Sequence, residues 1–509
     1  MAEKQQKTIP SYSQVACIGT GLSGIALGAT LKRWYQMDDI RFFERNGGAG
    51  GTWYMNTYPG CACDVPSALY SLSFAPNAGW TKLMPPHQEI KAYQDRVIDQ
   101  YGLRSKMSFR TEVRQCIWRE DASRWLMVLC NLDSQEEFYH ECQVLFSASG
   151  ALVKPRPCDI PGAASFNGAL FHSGQWNHNV DLKGKKVVLI GNGCTAAQIV
   201  PAIVDQTESL TQVIRTKHWI FESMNFPYPP LLLWIFQHVP LALKFHRFQI
   251  FMLAEQALRM FFMDSRAAKL RDQTREKADK FMRDTAPAKY HDLLIPDFDV
   301  GCKRRIFDPG YLKSLHNDKI RLTDSKITEI VPEGIKTVDG LIPADVIVLA
   351  TGFQTNHFTP FMDIHGKNGT IREHWEQWDG PGAYNTSVLS GFPNFFLLLG
   401  PNSATGHTSA LMASENTINY ALRILKPVLN GDAASVEINE DAEKQYVYKA
   451  QEALQQRVWN AGCNSWYINE KRWNAMAYPW SQAHFWYRSL FPTWSDWTIK
   501  VGDTLNITL

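Results

Sequence analysis

Two short glycine-rich turns constrain this chain more than any other feature. Gly19-Thr20-Gly21-Leu22-Ser23-Gly24 follows an apolar run at residues 15–18, and Gly191-Asn192-Gly193-Cys194-Thr195-Ala196 follows another at residues 187–190. Each run reads as a buried strand, and the small residues after each turn suit the start of a helix. Such a turn lets the backbone pass close under a pyrophosphate, with the N–H groups of the next helix aimed at it. Ala196 stands at the third glycine place of the second turn, a substitution that the fingerprint allows. The expected fold is therefore α/β, built around two dinucleotide sites.

The residues after each unit say which dinucleotides these are. Residues 40–43 read as a strand ending at Glu44, about 20 residues beyond the third glycine, where a carboxylate accepts hydrogen bonds from a ribose. At the matching place after the strand at 210–214 the chain has Arg215-Thr216-Lys217. A cation there suits a 2′-phosphate, which favours NADPH over NADH.

Between the turns, Phe166, Gly168, His172 and Trp176 stand in the pattern Phe-x-Gly-x-x-x-His-x-x-x-Trp. A second pattern, Gly-Gly-x-Trp-x-x-x-x-Tyr-Pro-Gly-x-x-x-Asp, is met at Gly50, Gly51, Trp53, Tyr58, Pro59, Gly60 and Asp64. With the two turns, these motifs resemble the type I Baeyer–Villiger monooxygenases over nearly the whole chain. One place departs: the family usually has Pro or Asp after the signature Trp, and here it is Asn177.

The resemblance implies two Rossmann-like domains, one for FAD and one for NADPH. It also implies a reaction in which a peroxyflavin inserts one atom of O2 beside a ketone carbonyl, giving an ester or lactone. The residue roles it implies are equally specific. Gly19, Gly21, Gly24 and Glu44 would hold FAD, and Gly51, Thr52, Trp53 and Tyr58 belong to a loop that covers the flavin. Gly191, Gly193, Thr195, Gln198, Arg215 and Thr216 would hold NADPH, with Lys303 on its phosphate. Arg304 would face the flavin and stabilise developing negative charge, and Asp64 would orient it; Asn402 lies in a segment that closes back onto FAD. Phe166, Gly168, His172 and Trp176 would form the hinge between domains. Read without the resemblance, Asp64 could equally cap a helix at 67–72.

At 509 residues the chain is long enough for two or more domains. The expected division is 1–150 for the first part of the FAD domain and 151–221 for the first part of the NADPH domain. A helical insert at 222–300, a second NADPH part at 301–380 and a C-terminal FAD part at 381–509 complete it. A net charge of +2 gives no reason to expect nucleic acid. The ten cysteines form no Cys-x-x-Cys pair and suggest no metal site, so a reducing, cytoplasmic setting with free thiols is expected. Residues 225–243 carry no acidic or basic side chain but four prolines, which argues against a membrane span. Either a buried helical insert or a monotopic surface contact fits that stretch. Among the aromatic-rich residues 459–497, the piece at 463–467 is expected nearest the substrate. Two other readings stay open: a flavoprotein oxidising nitrogen or sulfur, and a non-catalytic, membrane-attached flavin-binding protein. The oligomeric state is not legible.

Overall fold

The computed structural model describes residues 9–355, 357–460 and 465–501. Two sheets, each starting with one of the glycine turns, organise it. In the first, β1 (Ser11–Ile18) pairs in parallel with β2 (Ile40–Phe43) on one side and β6 (Glu137–Ser147) on the other. Val15, Ala16, Cys17 and Ile18 are all buried, as a strand covered on both faces requires. The helix α1 (Leu22–Tyr35) lies close against this sheet because its inward residues are small. A Cβ at Gly28 would stand 2.8 Å from the Phe42 ring.

The same sheet continues from β6 through antiparallel neighbours, Arg124–Asn131 and Thr111–Arg119, and takes Phe395–Leu397 in parallel on β6. Buried and more exposed side chains alternate along most of both antiparallel strands, as a half-buried sheet requires. Asp363–His365 also joins this sheet, in parallel with Thr111–Arg119. The chain therefore returns to the first sheet well before residue 381, because Ile364 is fully buried there.

The second sheet has five strands in the order Ile320–Thr323, Ser209–Val213, Lys186–Ile190, Val346–Leu349 and Ala169–His172, all parallel. The signature segment supplies its edge strand. Between the two halves of this unit run the helices Pro230–His238, Ala242–Ala257 and Ser265–Thr285. Asp264 caps the last of these by accepting from the N–H groups of Arg266 and Ala267. No helix among the described residues is long and apolar enough to cross a membrane.

Candidate active site

The first glycine turn bends where only glycine fits. Gly19 has φ +101°, and a Cβ on Gly24 would lie 2.3 Å from the Gly19 carbonyl oxygen. The turn opens on a cavity of about 170 Å³ lined by Gly19, Gly21, Glu44, Gly51, Thr52 and Trp53, among others. Glu44 is buried and its carboxylate already has four donors: Thr20 N–H and hydroxyl on one oxygen, Asn46 N–H and side-chain amide on the other. A ribose hydroxyl at Glu44 would therefore share these oxygens with Thr20 and Asn46, two residues that the motif does not mark.

The loop at 47–64 packs against the second unit. The Tyr58 hydroxyl donates to Gln198 Oε1 at 2.9 Å, and Gln198 Nε2 donates to the Ala62 carbonyl at 3.0 Å. Gly60 lies so close that a Cβ would meet the Gln198 carbonyl oxygen at 2.4 Å. Gln198 belongs to the helix Cys194–Ile203 above the second turn, so it acts here as an inter-unit clamp. Trp53 is buried, with its indole N–H donating to Tyr70 at 3.0 Å.

Asp64 caps no helix, since residues 67–72 form turns. Its two carboxylate oxygens instead accept from Arg304 Nη2 at 2.8 and 2.6 Å. The charge of Asp64, outweighing burial, holds the Arg304 guanidinium protonated well above its ordinary value. Arg304 remains 47% exposed, so its other nitrogens are accessible to a ligand. Tyr467 lies within electrostatic reach of Arg304 and Arg305, and burial pushes its phenol up. Ser465, Trp466 and Tyr467 are described; Cys463 and Asn464 lie outside the described residues.

Around the second turn the basic residues converge. Asn192 Nδ2 donates to the Thr216 carbonyl at 2.5 Å, fixing the exit of the strand Ser209–Val213 against the turn. Lys303 Nζ approaches the Lys217 carbonyl at 3.5 Å, and its pKa is lowered by burial and then by the charge of Arg215. Neither Arg215 nor Lys303 makes an ion pair among the described residues (acid N···O within 4.0 Å). Asp297 lies within electrostatic reach of Lys303, but two cations held together with no close ion pair suit an anionic group between them. Gly191, at φ +124°, packs on the Ala350 carbonyl, where a Cβ would stand at 2.4 Å. Gly193 and Thr195 begin the helix above.

Comparison with known proteins completes this picture. Residues 13–289 match the model of the flavin-binding monooxygenase-like family. A Baeyer–Villiger monooxygenase of Streptomyces coelicolor is 31% identical over 95% of this chain and 92% of its own length. The chain belongs to the flavin-binding monooxygenase-like family, among its Baeyer–Villiger monooxygenases. An FAD-binding monooxygenase of Aspergillus terreus, tazF, is 32% identical over 94% of this chain and 87% of its own. Among solved structures, an oxidized steroid monooxygenase bound to NADP superposes with a TM-score of 0.84 at 25% identity, covering 97% of this chain and all of that one.

In this Baeyer–Villiger monooxygenase the signature histidine is a fastener. His172 Nδ1 accepts from the Gly174 N–H at 3.0 Å, so Nε2 carries the proton and donates to the Gly352 carbonyl at 3.0 Å. Burial lowers its pKa, which suits the neutral ring that this pair of bonds requires. Gly168 fits under the Asp345 carbonyl, where a Cβ would be 2.2 Å away; Phe166 covers it, and Trp176 packs edge-on against Phe171 at 5.2 Å.

Asn402, in the closing segment, donates its side-chain amide to the carbonyls of Asn474 and Ala477 at 2.6 and 3.1 Å. It ties the closing segment to the C-terminal tail, because a buried amide must find partners and the tail carbonyls lie nearest. The expectation that all thiols are free needs correction: among the described residues eight cysteines are free, but Cys302, next to Lys303, is disulfide-bonded.

Proposed function

We propose that this chain uses FAD and NADPH to insert one oxygen atom of O2 beside a ketone carbonyl, giving an ester or lactone. The observation that supports it most is the Arg304–Asp64 ion pair, set where the loop of the first unit meets the second. The residues present fit both cofactors. The glycine cradle at 19–24 admits no Cβ at Gly24, and Arg215 with Lys303, neither in a close ion pair among the described residues, suits a 2′-phosphate. We assign the cavity at Gly19, Gly21, Gly24, Glu44, Gly51, Thr52 and Trp53 to FAD, and the cleft at Gly191, Gly193, Thr195, Arg215, Thr216 and Lys303 to NADPH. Residues 1–150 and the C-terminal part would form the FAD domain, and 151–221 with the strands up to residue 349 the NADPH domain.

FAD, once reduced by NADPH, supplies the activation of O2. The chain's own residues then do three things. Arg304 holds a fixed positive charge toward the negative charge that develops on oxygen at the ketone carbonyl. Asp64 fixes the plane of that guanidinium, which a point charge could not reproduce. Trp53, Tyr58 and Tyr467, all buried, keep water from the reacting atoms. Ketone and O2 are the small-molecule partners of this reading, and a cytoplasmic setting belongs to it. Eight described cysteines are free thiols, while the Cys302 disulfide does not speak for a reducing compartment.

The test is a ketone panel with the purified protein, FAD and NADPH, reading NADPH consumption beside ester or lactone formation. Ester formed in proportion to NADPH consumed supports the reading. NADPH consumption driven by amines or sulfides alone, with no ester from any ketone, overturns it.

A further inference from the structure

The insert helix Ala242–Ala257 turns His246, Arg247 and Glu255 toward the protein, while Lys244, Gln249 and Gln256 stay exposed. Arg247 Nη1 donates to the carbonyls of Ala68 and Ser71, and Nη2 stands 3.5 Å from Glu415 Oε2. His246 Nε2 meets the Tyr228 hydroxyl at 3.1 Å. Glu255 pairs with His407 at 2.8 Å and accepts the N–H of Gln482. Ile250 packs against the core, but several other apolar side chains point outward: Phe245, Phe248 and Leu253 are 61%, 56% and 66% exposed. Leu241 and Met252 extend this face on the same helical spacing, and Leu231 and Trp234 of Pro230–His238 are exposed as well. Neither helix contains one buried residue. A helix facing water carries the opposite pattern.

The charge of this surface is as informative as its apolarity. Residues 225–243 hold no acidic or basic side chain. Lys244 is exposed and makes no ion pair among the described residues, while the acid of the helix, Glu255, is turned inward. The outward face thus offers apolar side chains, an indole and one free cation, with no carboxylate. That composition fits the boundary between acyl chains and phosphate headgroups. The helix of 16 residues, about 24 Å long, is too short to span, so it would lie in the plane of the boundary.

We propose that this face is a monotopic attachment surface for a phospholipid bilayer, with Phe245, Phe248, Leu253 and Trp234 entering the acyl boundary and Lys244 meeting phosphate. The inward Arg247–Glu415 ion pair and the Glu255–His407 hydrogen bond hold the helix rigidly enough to present it. This inference is independent of the reaction.

The experiment is flotation of the FAD-loaded chain with vesicles of phosphatidylcholine, alone and mixed with phosphatidylglycerol. The parent protein is expected to float with the mixed vesicles. Phe245→Glu/Phe248→Glu should lose vesicle partitioning by about tenfold or more, while keeping its FAD content and its rate with a water-soluble ketone, since both side chains are exposed. Lys244→Glu should weaken flotation only where phosphatidylglycerol is present. Retained FAD in the double variant shows that it folds. Failure of the parent protein to float on either vesicle, or equal flotation of the double variant, overturns the proposal. So does a parent dimer, seen by light scattering, that the double substitution turns into monomer without any vesicle capture; the face would then belong to a second copy.

Discussion

Arg304 and Asp64, 240 residues apart in sequence, share one guanidinium nitrogen between two carboxylate oxygens at 2.8 and 2.6 Å. The pair joins the flavin-side loop to the segment that carries Lys303. Because Arg304 is 47% exposed, its value lies in placing a charge more than in stabilising the fold.

Arg304→Ala should separate the two halves of the reaction. Reduction of FAD by NADPH builds no anion beside Arg304, so anaerobic flavin bleaching should persist. Removing a preorganised donor at a developing oxyanion costs about 3–4 kcal/mol, on the order of a hundred- to a thousandfold. Ester formation should fall by that factor. Near-parental ester yield would move the role elsewhere, with Arg305 next to it.

Arg215→Ala should act on NADPH alone. A hydrogen bond to a charged group contributes roughly 1.5–3 kcal/mol, about ten- to a hundredfold in affinity. Titrating flavin reduction with each cofactor should show the KM for NADPH rising by that order and the KM for NADH unchanged. Equal losses with both would mean that Arg215 supports the fold.

Gly24→Ala tests the cradle. The new methyl would sit 2.3 Å from the Gly19 carbonyl oxygen, which is backbone and cannot swing aside. Overpacking of this kind costs about 1–3 kcal/mol. FAD retained through purification should drop, with Gly79→Ala, whose Cβ meets only Asn77 Oδ1 at 3.4 Å, as the control for an alanine placed at a tolerant glycine. Unchanged FAD content in Gly24→Ala would show that the turn has room to relax.

Acid should unfold the protein partly through His140. This ring is buried against Ser11 and Ser13, and burial lowers its pKa to about 4, below the ordinary 6.5. The unfolded chain binds the proton first, so this contribution is complete above pH 6.5 and is lost as pH falls toward 4. A shift of this size corresponds to about 3 kcal/mol at its limit. Urea midpoints measured across that window should fall less steeply in His140→Gln than in the parent. Parallel slopes would assign the acid sensitivity to other groups, such as His218.

Lys303 was marked only by the family resemblance, whereas both glycine turns, the strand and helix beside each, and the cation at Arg215 were legible in the residues themselves. Each is local: a glycine is required because a Cβ would strike backbone within a few residues or across one strand, and such demands leave marks at fixed spacing. The Ser209–Val213 strand and its basic exit follow the same rule.

Partnerships made across the fold left no such mark. Without the family resemblance Asp64 could cap a helix, and its pairing with Arg304 comes from the fold. The carbonyls of Asn474 and Ala477 that hold the Asn402 amide are likewise set by the fold. Glu44 shares its oxygens with Thr20 and Asn46, and Asp363–His365 joins the first sheet. The insert shows the limit most clearly. Periodicity at 248–263 announces an amphipathic helix, but a period is the same whichever face turns inward. Only the positions of Glu415, Tyr228 and His407, set by the tertiary structure, drew His246, Arg247 and Glu255 in and left Phe245, Phe248 and Leu253 outside.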